Sequence, residues 1–590
     1  MTVELVAVLG VLAVVLATAV APRVGVAAPL LLVTLGLVAA LLPFVESVTV
    51  PPEWILGGVL PLLLYSTAVN APTMEFRRDL RLISVFSFLL VAASAVAIGF
   101  AATALVPGMP LGVGIALGAI LSPTDAVAIS IVRQAGVAPR VVTVLEGESM
   151  LNDASALVLL RSAIAAIGVT VSLWQVALEF VWAVAAAVGI GYLVGRLNLA
   201  VRSRITQVPS NVALSLVVPF LAYLPAEEVG ASGLVAAVAA GMVTGHGAPR
   251  RLGAEDRLAE RAVWRTVELL LESGVFLLVG LEAPSLAADV LETGGGIGIA
   301  LLLAVVGATL ALLIRAAFVA FSVWSLARRN RRTPAVRKRL TQLQDRLADG
   351  ELPRMENAPS PATERGRRIR WLARRANAGA ATKADRIGRW QRVVGQRLAD
   401  LDYLAAEQFG WRDGMILVWA GMRGAVTIAA AQTLPEDTPY RSLLVLAATL
   451  VAVGSLLLQG VTISSLAERL GLTAHPGDSD PAQWAALQAE LGSAARERLT
   501  EKLDGYPPEL VDRMRERLNR VRDAEEDFRP ESPQTRDRLA VFLRMRLDMI
   551  AVQREALLDV RDLGTYPSGM LDAALAQLDA EQLGIELHRV

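Results

Sequence analysis

The sequence predicts an all-α integral membrane protein, with about 13 transmembrane helices, broken crossing helices among them, and a helical cytoplasmic tail. Three observations carry that prediction. The 590 residues are 54% hydrophobic and only 19% charged, with a mean hydropathy of +0.51, too apolar for a chain surrounded by water. Apolar stretches long enough to cross a hydrocarbon core about 30 Å thick recur until the chain turns polar. Basic residues fall in alternate connections between these stretches, as expected of loops kept on the cytoplasmic side.

The stretches occupy approximately 3–21, 24–44, 54–71, 82–105, 111–132, 143–168, 174–198, 211–225, 229–245, 264–281, 295–326, 411–434 and 441–466. The opening Met1-Thr2-Val3-Glu4 lacks a basic n-region and a small-residue cleavage site, so the first stretch reads as a retained span. One set of connections carries Arg23; Arg77, Arg78 and Arg81; Arg133 and Arg140; Arg202 and Arg204; Arg250, Arg251 and Arg257; then a long basic run. The other set is acidic or neutral: Glu46 and Glu53, PGMP at 107–110, Glu227 and Glu228, Glu282 to Glu292, Glu436 and Asp437. With an odd number of spans, the amino terminus is expected outside and the carboxyl terminus in the cytoplasm of a multi-pass cell-membrane protein.

The expected organisation is spans one to eleven in 1–326, a basic cytoplasmic insertion in 327–410, two last spans in 411–470 and a cytoplasmic helical domain in 471–590. The insertion holds 20 Lys/Arg against 9 Asp/Glu. Its arginine clusters, from Arg328 to Arg339 and Arg365 to Arg375, could hold anionic lipid headgroups at about 1 kcal/mol each, or form a solvated helical surface. Charges spaced among Leu, Met and Val give the tail a helical period. Zero cysteines and three histidines exclude disulfides, thiolate metal sites and bis-histidine haem stacks. No Walker loop, dinucleotide fingerprint or zinc spacing occurs, so no cofactor, ATP hydrolysis or nucleic-acid partner is expected.

Ionisable groups inside spans cost about 2.5 to 3.5 kcal/mol each and point to function. Four draw attention: Asp125 in GAILSPTDAVAIS, Glu148 and Asp153 in LEGESMLNDASALVL, and Arg423 in VWAGMRGAVTIAAA. Pro123 removes a backbone donor, and Ser122 and Thr124 add hydroxyls that can meet freed carbonyls, so this helix should be interrupted. Carbonyls exposed beside Asp125 suit a small cation; a simple kink, with Asp125 capping the second half-helix, is the competing reading. At about 100° per residue, Ser149 and Asp153 share one helical face, while Glu148 and Asn152 share another. Asp153 with Ser149 can then face a cavity, and Glu148 faces packed protein and requires a cation, for which Arg423 is the evident candidate. A proton or Na+ at Asp153 each removes the charge that attracts the other, so competition couples two flows without ATP.

At these residues the sequence resembles the monovalent cation/proton antiporter superfamily, in particular its first family of bacterial and animal sodium/proton exchangers. Three motifs carry the resemblance: SPTDAVA at 122–128, EGESMLNDASALV at 146–158 and GMRGAVTIAAA at 421–431. Weaker stretches are LPLLLYSTA at 60–68, AEEVGASGLVAAVAAG at 226–241 and FLLVGLE at 276–282. The resemblance implies a homodimer with inverted repeats, a dimerisation domain and a six-helix core domain that moves like an elevator. It implies Asp153 as the ion- and proton-binding carboxylate, completed by Asp125, the Thr124 backbone and Ser149. Asn152 would tie the broken helix in place, and Glu148 would pair with Arg423. The Asn152-Asp153 pair is similar to the electroneutral branch of the family.

Two departures accompany the resemblance. Ser66 stands where many prokaryotic relatives place a glutamate, and Glu272 where relatives often carry an asparagine. Glu272 is expected to pair with Arg315, with a second proton site or a place near the cytoplasmic funnel as alternatives; Glu268 is expected at the interface and Glu227 at a helix end. The resulting expectation is a secondary antiporter serving pH homeostasis, exchanging Na+ for H+ one for one, with Li+ and K+ as further candidate cargoes. A K+/proton exchanger of the same fold or a cation channel is the alternative. An intramembrane aspartyl protease is disfavoured because GESMLND stands in place of a GxGD signature.

Overall fold

The computed structural model describes residues 3–24, 27–42, 51–124, 126–165, 173–292, 296–330, 333–349, 383–406, 409–472, 481–502 and 533–587. All regular elements among them are helices. Two compact units emerge: residues 1–326 with 409–476, and residues 327–408 with 477–590.

The first unit opens with α1 (Val3–Val24), α2 (Ala28–Ala40) and α3 (Pro52–Asn70). There follow α4 (Thr73–Ser84), a π-helical stretch at Val85–Leu90, α5 (Val91–Leu105), α6 (Leu111–Ile120), α7 (Ala126–Gln134) and α8 (Pro139–Ala165). Then come α9 (Leu173–Arg202), α10 (Val208–Glu228), α11 (Gly233–Arg251), α12 (Ala254–Glu292) and α13 (Gly296–Asn330). Among the described residues, seven helices are long and apolar enough to cross a membrane. Helix α8 is long enough but carries Arg140, Glu146, Glu148, Asp153 and Arg161, so composition alone passes over it.

Two groups of helices pack within this unit. One joins α2 to α12, α9 to α11, α3 to α11 and α10 to α11. Small residues allow these backbones to approach closely. A Cβ on Gly36 would sit 2.9 Å from Gly280 Cα, and one on Gly280 would collide with the Val33 carbonyl. The other group packs α4, α5, α6 and α7 around α8. Its core includes Leu117, Ile120, Leu121 and Met150, all buried.

The second unit contains α14 (Thr333–Ala348) and α15 (Lys383–Ala406), a hairpin closed over Leu347, Trp390 and Val394. After the last helices of the first unit, its tail adds α19 (Pro481–Lys502), α20 (Pro533–Leu563) and α21 (Ser568–Leu587). These enclose Leu487, Leu491, Ile550, Leu557 and Leu571. Gln396 in α15 donates to the Asp562 carbonyl in α20 at 2.8 Å, so the basic insertion and the tail are parts of one unit. The arginine cluster from Arg365 to Arg375 lies outside the described residues.

Candidate ion-binding site

Two interrupted helices meet beside α8. The first is α6 and α7, separated by the SPTD segment; the second is α16 (Trp411–Trp419) and α17 (Ala425–Gln432), separated by AGMRG, with α18 (Arg441–Leu470) packed behind it. Pro123 and the paired glycines Gly421 and Gly424 lie within the breaks, where continuous i to i−4 bonding is absent. Thr427 Oγ1 donates to the Pro123 carbonyl at 3.4 Å, so the two breaks touch.

Arg423 links them. Its Nε donates to the Leu121 carbonyl at 2.8 Å, and its Nη1 donates to the Gly421 carbonyl. Those carbonyls end α6 and α16, where unpaired oxygens give each half-helix a partial negative charge. One guanidinium thus neutralises two helix ends. Ser455 in α18 accepts from the Arg423 amide at 3.0 Å and donates to its carbonyl at 3.1 Å, fixing the backbone at the break.

Helix α8 is docked on the first break by two side chains. Asn152 Nδ2 donates to the Ser122 carbonyl at 2.9 Å, and Ser149 Oγ donates to the Thr124 carbonyl at 3.0 Å. Ser122 Oγ returns to the Gly118 carbonyl at 2.9 Å, satisfying one oxygen freed by the interruption. Thr124 behaves differently from expectation, because its buried Oγ1 makes no hydrogen bond. Its carbonyl accepts from Ser149 Oγ, and a carbonyl oxygen has two lone pairs. Asp153 is buried one turn beyond Ser149, on the same helical face. Asp125 lies outside the described residues.

Asn152, Ser122, Arg315 and Arg423 also line a cavity of about 10 Å3, close to the size needed for one water. Asn152 Oδ1 is buried without a hydrogen bond, and water there would supply one.

The family model described as "Sodium/hydrogen exchanger, transmembrane" matches residues 10–337 and 392–469. The chain belongs to this family. Exchangers of this family are transporters, here with an all-α fold. An uncharacterized Na+/H+ exchanger of Mycobacterium tuberculosis is 28% identical over 593 residues, covering 97% of this chain and 94% of that protein. A sodium, potassium, lithium and rubidium/H+ antiporter of Bacillus subtilis is 31% identical over 265 residues, 43% of this chain and 40% of that one. The structure of the sodium proton antiporter MjNhaP1 from Methanocaldococcus jannaschii has a TM-score of 0.52 and 17% identity, covering 80% of this chain and all of the other. That similarity supports the fold.

In the exchanger, the expected pairing of Glu148 with Arg423 is replaced by one with Arg315. Both Glu148 oxygens receive the Arg315 guanidinium, Oε2 from Nη2 at 2.8 Å, and the Arg315 Nε donates to the Leu417 carbonyl at 2.8 Å. Sequence spacing could not choose between two arginines on different helices; the carbonyls at the breaks claim Arg423 and leave Arg315 for Glu148. Arg315 thus spends Nε, Nη1 and Nη2 on Glu148 and the Leu417 carbonyl, where Glu272 was the expected partner. Glu272 is half-buried on α12. Ser66 is buried and donates to Glu268 Oε2 at 3.1 Å, which places Glu268 against α3 instead of only at the interface.

Three further pairs lie beyond the four charges that stand out within spans. Arg140 donates to Asp79 at 2.7 and 3.0 Å, and Arg202 donates to Glu260 at 2.7 and 2.9 Å; both pairs are buried. Arg161 donates to Glu227 at 2.7 and 2.8 Å. The first two sit near span ends, where charges look ordinary. Arg161 had a visible signal, an arginine inside ALVLLRSAIAAIG.

Proposed function

We propose that this chain exchanges monovalent cations, Na+ foremost, for protons by alternating access, with both ions competing for Asp153. The observation that carries this reading is a buried carboxylate beside a broken helix, with Ser149 and Asn152 holding that break against α8. The Thr124 carbonyl, the Ser149 oxygen and Asp153 supply hard oxygen ligands, which suit an alkali cation, and Asp125 adjoins them in sequence. Protonating Asp153 removes the charge that holds the cation. A cation in place excludes the proton. Glu148, Arg315 and Arg423 keep the scaffold electrically balanced, leaving Asp153 as the carboxylate that changes its load.

The reading includes one proton per cation, no enzymatic reaction, about 13 spans, a homodimer in the cell membrane, an external amino terminus and a cytoplasmic insertion and tail. The alternating basic and acidic connections support the orientation. The cargo range printed for the Bacillus subtilis relative supports K+ as an alternative cation. Purified protein in liposomes with a pH-sensitive dye tests the whole reading on addition of Na+, Li+ or K+. Asp153→Asn should abolish cation-driven proton movement; undiminished movement would refute the mechanism. A voltage clamped with potassium and valinomycin should leave the rate unchanged, and single-channel currents should be absent.

A further inference from the structure

The fully buried ion pairs of the first unit contrast with one part-exposed pair that crosses between its helix groups; Arg133–Glu146, 64% and 19% exposed, stays within the group around α8. Glu148–Arg315 ties α8 to α13, Asp79–Arg140 lies within the group around α8, and Glu260–Arg202 lies within the other group. In these three pairs the arginines engage through two or more nitrogens, and every partner side chain is at most 7% exposed. Such pairs are permanent parts of the scaffold, because separating them would strand a buried charge.

Arg161–Glu227 differs on every count. It joins α8, which bears Asp153, to α10 in the other group. Its members are 35% and 29% exposed. Arg161 grips both carboxylate oxygens through Nη1, with the Tyr223 hydroxyl of α10 also close to its guanidinium. Glu227 is held independently, since its Oε1 accepts from the Gly233 amide at 2.8 Å at the start of α11. The carboxylate therefore belongs to the α10–α11 corner, and the arginine is the member that can leave. Arg161 lies eight residues beyond Asp153, about 12 Å along the helix. The alternation of charged connections puts this corner on the outer face.

We propose that Arg161–Glu227 is a separable latch that closes the outer side of the transport path and breaks when Asp153 becomes accessible from outside. The proposal rests on the alternating-access reading. Two groups that rock against each other must exchange contacts across their boundary, and a half-exposed pair can do so at small cost because water solvates both charges on release. While made, the pair favours the state closed outside. Removing it shifts the population towards the outward-open state by the free energy of the pair.

The chain has no cysteine, so a single Leu157→Cys, one turn from both Asp153 and Arg161, reports outer access without background. Its modification by a membrane-impermeant thiosulfonate added outside should run roughly two- to fivefold faster with Glu227→Gln or Arg161→Gln, the range of a half-exposed ion pair. Glu227→Gln retains an oxygen for the Gly233 amide, so the corner keeps its fold. The double variant should match either single, and the external KM for Na+ should fall while the internal KM rises. Unchanged labelling in every variant, or a return to the parental rate in the double, would overturn the latch. Failure of the Asp153 reading is distinct: exchange would survive Asp153→Asn whatever the labelling does.

Discussion

Glu148→Gln tests the electrostatic scaffold most directly. In the parent, Glu148 and Arg315 are 1% and 2% exposed, and the carboxylate receives both terminal nitrogens of the guanidinium. The amide cannot neutralise Arg315, which stays charged, bonded to the Leu417 carbonyl and away from water. Breaking one side of such a pair costs about 3–5 kcal/mol. Replacing both members with apolar residues of similar volume, as in Glu148→Leu with Arg315→Met, removes the stranded charge and should recover most of that loss. The assay is thermal unfolding of the purified protein in detergent, followed by size-exclusion fluorescence, for each single variant and the double. The decisive comparison is a second cycle between Glu148 and Arg423. Arg423 is engaged with the Leu121 and Gly421 carbonyls, so its coupling to Glu148 should be much the smaller of the two. Larger coupling to Arg423, or a harmless Glu148→Gln, would refute the assignment of partners.

Ser149→Ala removes the bond to the Thr124 carbonyl, and about 1 kcal/mol of support with it; it should raise the KM for Na+ more than it destabilises the fold, measured by dye-based exchange against melting temperature. Competition for one carboxylate predicts that lowering pH on the cation side raises the apparent KM for Na+, approaching tenfold per pH unit where Asp153 is mostly protonated, with maximal velocity less affected. A pH-independent KM would contradict it. Gly280→Leu drives a side chain into the Val33 carbonyl across α2 and α12 and should lower stability by about 1–3 kcal/mol or prevent folding, read from membrane yield and melting. Deleting 327–410 removes the insertion's share of the second unit, so exchange should persist with altered lipid dependence while the tail loses its Gln396 link.

Much of the site is legible in the sequence. Ser122, Pro123, Asn152, Ser149 and Asp153 could be assigned to a broken helix and its neighbour because proline chemistry and the helical period are local properties. The facial arithmetic on α8 also separated Asp153 from Glu148. It failed at the next step, in choosing an arginine for Glu148, because that choice depends on which helix end reaches which guanidinium. Arg161 was overlooked for a related reason. Its meaning comes from Glu227, which is 66 residues away in the chain.

Hydropathy, charge alternation and the interrupted motifs determined a membrane transporter with a buried acid, since each depends on composition or on contacts within a few residues. Only the tertiary structure decided the pairings: Arg315 with Glu148, Arg423 with two helix ends, Glu268 with Ser66, and the basic insertion with the tail. A charge can announce that it requires a partner from its own sequence context. Which partner it receives depends on three-dimensional proximity and on competition among every acceptor within reach.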